Sequence, residues 1–175
     1  MEILSQFLLR LAFGLAVGMA ITSPKKVFSG FYRNHLYVTL GLATLAALVL
    51  PQISTIATVF AAAAAVLSFI GAAAWLYEAK RLGIALIIAV AGGTLASGLI
   101  ALPTHDAFHL IAFVTSGLVL GIVFAAMLLG HWYLNAPGME LAPLRRLLIV
   151  AAVAIVAQIF VVGAGLGAEW SHRPD

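Results

Sequence analysis

From Ala107 to Leu134 the chain reads AFHLIAFVTSGLVLGIVFAAMLLGHWYL, without one Asp, Glu, Lys or Arg. A helix crossing a bilayer needs about 20 mostly apolar residues, and a run this long and uncharged has no natural place in a water-soluble fold. It carries a histidine near each end and an aromatic pair where it finishes. Five further runs of the same kind lie at residues 3–22, 31–50, 53–77, 83–102 and 144–165. Together they predict an all-α integral membrane protein. The expected architecture is a compact bundle of six transmembrane helices, a single domain over residues 1–175.

Composition closes the soluble alternative. Of 175 residues, 64% are hydrophobic and 9% charged, where soluble domains carry roughly a quarter charged. Mean hydropathy is +1.15. So few polar groups cannot cover a globular surface of this size.

The breaks between runs have turn chemistry. Ser23-Pro24-Lys25-Lys26 closes the first, Pro51 and Pro103 close the second and fourth, and Asn135-Ala136-Pro137-Gly138 closes the fifth. Proline lacks the backbone donor that a helix interior needs and disfavours helical geometry in the residue before it. At the N-terminus, Glu2 is acidic, Arg10 lies inside the run and no A-x-A site follows. The first run is therefore expected to stay as a helix rather than be cleaved as a signal peptide.

Basic residues follow the breaks. Lys25, Lys26 and Arg33 lie between runs one and two, Lys80 and Arg81 between three and four, Arg145 and Arg146 between five and six. The other two connections have no Lys or Arg. The positive-inside rule then places the basic loops in the cytoplasm and both termini outside, in a bacterial plasma membrane. The net charge of +3 reports this topology, so the expected partner is the lipid bilayer, with other membrane subunits, and not nucleic acid. Cysteine is absent, which removes thiolate metal sites, iron–sulfur clusters and covalently attached haem.

Short connections predict that sequence neighbours pack as antiparallel hairpins. Small residues should let them approach closely: Gly14 and Gly18 form a GxxxG pair, Gly117 and Gly121 another, and Gly163 to Gly167 add a further small surface. Such faces are expected to pack within the chain before they serve a dimer. Loop lengths run long-short in the first half and short-long in the second, against the inverted repeats of many transporters.

Polar groups at membrane depth are the functional candidates. Arg10 lies about eight residues, or ~12 Å of rise, from the outer end of helix one, and an embedded charge is costly unless paired or hydrated. Three outcomes are open: it snorkels to the outer headgroups, it joins Gln158 in a polar clamp between helices one and six, or it holds an anion or headgroup. Asp106 and Glu169 are candidate counter-ions. His105, Asp106 and His109 form HDxxH at the outer end of helix five. A metal would want a further ligand, and only His172 is available, so these are expected as interfacial groups, with Asp106 capping the helix.

At the inner end, His131 with Trp132 and Tyr133 should sit level with the start of helix two, with Arg33 and His35. Two histidines at matched depth are the minimum for a b-type haem, and interfacial His, Tyr, Trp and Arg also suit a quinone. The stripe His109, Phe113, Gly117, Leu120, Phe124, Met127, His131 is expected to line one face of helix five. The plainer reading has these groups in the interfacial belt. GxSxG, HExxH, Walker A and GxGxxG are absent, and no carboxylate lies inside a span. Hydrolysis, phosphoryl transfer and cation-coupled transport therefore lack their usual groups. The function expected is a non-catalytic subunit or accessory of a membrane complex. The alternatives are a haem- or quinone-binding electron-transfer subunit and a small-solute transporter or channel lined by Arg10 and Gln158.

Overall fold

The structure, a computed structural model, describes residues 1–135, 138 and 140–171, without the side chains of Asn135, Ala168, Glu169 and Ser171. Its elements are α1 (Glu2–Ile21), α2 (Ser29–Val49), α3 (Thr55–Leu76), α4 (Lys80–Ile100), α5 (Ala107–Asn135) and α6 (Ala142–Ser171), with one 3-10 turn at Leu50–Gln52. All six helices are long and apolar enough to cross a membrane, and no strand occurs among the described residues.

Local chemistry sets the ends. Pro51 sits in the first turn of the 3-10 segment, where its missing N–H leaves no bond unmade. Ser54 then caps α3 by accepting from the Ala57 N–H. The Asp106 carboxylate accepts from the His109 N–H at the start of α5, so it does cap that helix. At the end of α3, the Ala79 N–H donates to Ala74 O and the Glu78 N–H to Trp75 O. These two bonds form a Schellman motif, with Glu78 at φ 57° where glycine is usual. Helix α6 runs on to Ser171, beyond the expected end at residue 165, and α4 begins at Lys80 rather than residue 83.

The hairpin expectation needs one correction. α2 packs on α3 and α3 on α4, but α4 and α5 scarcely touch. Helix α1 lies between them, against α5, α4 and α2, and is the most deeply buried helix. The reason is the glycine surface: a methyl on Gly14 would sit 1.8 Å from Gly117 O, and one on Gly121 would sit 2.0 Å from Gly14 C. The two GxxxG pairs thus face each other within the chain, at a backbone separation that only glycine permits.

This contact also overturns the expected stripe on α5. The buried positions are Phe113, Gly117, Gly121, Ala125 and Leu129, each four residues on, with Ile122 and Ala126 beside that line. A step of four turns the face by about 40° relative to the helix axis, so the buried line follows an i±4 ridge. Leu120, Met127 and His131 are carried to the outside. Helix α6 packs mainly on α5 and is the least buried of the six.

Candidate functional sites at the two ends

At the basic end the three lysine- and arginine-bearing loops meet. A cavity of about 600 Å³ is lined by Lys25, Lys26, Ser29, Glu78, Lys80 and Glu140 among others. Its carboxylates are engaged, Glu140 across to Lys26 of another loop at 2.7 Å and Glu78 with nearby Lys80 at 3.6 Å. Tyr133 donates its hydroxyl to Glu140 O, and the Trp132 ring lies against Gly30, where a methyl would be 3.3 Å away. The stretches GFYRNHLY and GHWYL therefore touch.

Their histidines do not share a site. His35 is 1% exposed, with its ring 4.0 Å from that of Phe31. His131 is on the outside of α5. The His35 Nδ1–H donates to Phe31 O at 2.7 Å, which leaves Nε2 as a bare acceptor, and no partner reaches it. That tautomer is the one a metal would want. The His35 ring is enclosed while His131 is exposed, so the two do not flank the open slot that a bis-imidazole haem needs. Arg33, Trp132 and Tyr133 are half-buried, and none of them joins His35 around an open slot. Neighbouring Tyr32 stacks on Trp75 at 4.0 Å and donates to Thr22 O.

At the opposite end, α1 presents Glu2, Gln6 and Arg10 on one face. They line an open groove of about 450 Å³ with Ile3, Phe7, Leu102, Pro103, His109, Ser116 and Leu120. Arg10 does not snorkel. Its Nη1 donates to Ser116 Oγ at 2.7 Å, and Ser116 donates in turn to Ala112 O at 2.6 Å. The guanidinium carbon lies 5.1 Å above the centre of the Phe113 ring. Among the described residues no carboxylate pairs with Arg10, and its Nε is buried without an acceptor. Gln6 ties α1 to the end of α4, its amide nitrogen donating to Gly98 O at 3.3 Å and Ala101 O at 3.1 Å. The sequence signal for this site is the i, i+4, i+8 spacing of Glu2, Gln6 and Arg10. Reading Arg10 alone misses it.

The clamp between helices one and six does not form. Gln158 bonds Thr115, the residue beside Ser116, and α5 separates the two polar side chains. They line different surfaces, Arg10 the groove on α1 and Gln158 a shallow depression on α6 with Ile159, Val162, Gly163 and Leu166. A shared transport path through both is therefore not built. Asp106 serves His109, through both the ring and the backbone N–H, and the ring's hydrogen bond holds its carboxyl below the ordinary carboxylate range. His105 is exposed on the adjoining loop. No cluster of metal-ligating side chains occurs among the described residues. His172 and the side chain of Glu169 lie outside them.

No protein-family model matches this chain, nor does any curated protein or solved structure. The class defined by the fold is an all-helical protein with six membrane-length helices.

Proposed function

We propose that the protein is a non-catalytic subunit of a membrane complex, seated in a bacterial plasma membrane with its basic loops in the cytoplasm and both termini outside. It receives a transmembrane helix of a partner on the outer half of α6. The observation that carries this reading is the Gln158 amide. Thr115 has one hydroxyl proton and a competing acceptor in Ile111 O. Whichever way the amide is turned, one of its polar ends therefore has no partner among the described residues. In lipid an unpaired amide is costly, and a neighbouring helix is its natural partner.

Shape supports the same face. Methyls placed on Gly163 and Gly167 would meet nothing within 4 Å, whereas one on Gly165 would strike Phe108. Gly163 and Gly167 are thus a third GxxxG pair, left uncovered among the described residues. The redox alternative rests on the His35 tautomer alone and ranks behind.

Photo-crosslinking in native membranes tests the proposal, with the probe at Ile159 on α6 and, as a control, at Phe69 on α3, which is exposed. The expected result is a protein adduct of one defined mass at 159 and none at 69, lost when Gln158→Leu and Gly163→Ile are combined. Lipid adducts alone at both positions would overturn it. An adduct of twice the chain mass would replace the accessory role with self-association.

A further inference from the structure

We propose that the groove beside Arg10 binds one phospholipid with an ammonium–phosphate headgroup, its phosphate at Arg10 and its ammonium at Glu2. This rests on the bilayer orientation above and is independent of what docks on α6.

Arginine stays charged at any accessible pH. Its visible partners, the Ser116 hydroxyl and the Phe113 ring, are neutral. The bond to Ser116 holds the guanidinium at its own level, roughly 12 Å of helix rise below Glu2. An embedded cation without a counter-ion is costly until an anion or water reaches it. The abundant anion at a membrane surface is lipid phosphate, and the rest of the groove suits what accompanies it. Ile3, Phe7 and Leu120 supply apolar walls, and a volume of about 450 Å³ lies within the usual range for a bound small molecule, about 300–1,000 Å³.

The second charge selects the headgroup. Glu2 lines the same groove two turns nearer the helix end, and its carboxylate has no partner among the described residues. From depth to surface, α1 therefore offers a cation and then an anion. An ethanolamine headgroup offers the reverse, phosphate below and ammonium above. A headgroup with a negative charge only would meet Arg10 favourably and Glu2 unfavourably. His109 at the mouth is engaged with Asp106.

Native mass spectrometry of the full chain in maltoside detergent decides the matter, with phosphatidylethanolamine, phosphatidylglycerol and oleic acid as probes. The wild-type protein should retain phosphatidylethanolamine about tenfold better than phosphatidylglycerol, and Arg10→Gln should lose at least about tenfold of that retention. Glu2→Gln, an exposed change at a helix end, should erase the preference between the two lipids while the melting temperature in detergent stays put. Unchanged retention by Arg10→Gln would overturn the site. Equal binding of both phospholipids by the wild type, or displacement by equimolar oleic acid, would overturn the headgroup assignment. Should Arg10→Gln fail to fold, Glu2→Gln still decides, because an intact preference in that variant refutes the arrangement.

Discussion

Gly14 of α1 and Gly117 of α5 meet backbone to backbone: a methyl on Gly14 would lie 1.8 Å from the Gly117 carbonyl oxygen. Neither side can yield as a flexible side chain would, so the helices themselves must separate. Gly14→Ala is expected to destabilise the bundle by about 1–3 kcal/mol, the range for overpacking a tight contact. Gly41, where a methyl meets nothing within 4 Å, is the control. There alanine should be neutral or gain up to about 1 kcal/mol of helix propensity. Thermal unfolding of both variants in one detergent makes the comparison.

Arg10 and Ser116 should respond in opposite directions. Ser116→Ala removes the only hydrogen-bond acceptor that the guanidinium has among the described residues, and is expected to cost about 1–3 kcal/mol. Arg10→Leu removes the embedded charge altogether and should leave stability in lipid-free detergent unchanged or raised by about 1–4 kcal/mol. A loss in Arg10→Leu as large as that in Ser116→Ala would mean that the charge is already compensated.

Glu78 occupies the left-handed position of a Schellman motif. Glu78→Gly should stabilise by roughly 1 kcal/mol, since glycine meets no steric cost there. The ion pair given up, with Lys80 at 3.6 Å on an exposed surface, is worth little against that. Chemical denaturation midpoints report the sign.

The start of α5 should be acid-sensitive. Asp106 is held below the ordinary carboxylate range by its hydrogen bond to His109. A depressed folded-state pKa stabilises above the unfolded value, and that contribution is lost as pH falls through the folded one. Hydrogen exchange at residues 108–110 is expected to speed up below the ordinary carboxylate range. In Asp106→Asn the pH dependence should disappear.

His35 and His131 should separate cleanly under mutation. His35 fills a closed site, so His35→Ala is expected to cost about 2–4 kcal/mol through the cavity it leaves. His131→Ala removes an exposed side chain and should cost less than that, because no buried cavity forms. Purified membranes should show no Soret band that depends on both residues.

The six helices were legible because each apolar run is continuous and each break holds proline, glycine or charge, all local properties of neighbouring residues. The Asp106 cap was legible for the same reason. The stripe on α5 was misread because a spacing of three or four fits several faces of a fully apolar helix. In lipid, no polar side marks which of those faces turns inward.

Sequence alone determined how many membrane-length helices this chain forms and where the basic loops fall, since these follow from transfer of local segments. Only tertiary structure decided that α1 enters between α4 and α5, that Arg10 reaches Ser116 instead of the surface, and that His35 is enclosed while His131 is not. Those outcomes depend on which glycine faces meet. Helix association in a bilayer is set by the shape of close contacts between distant residues, and that shape is absent from any single run.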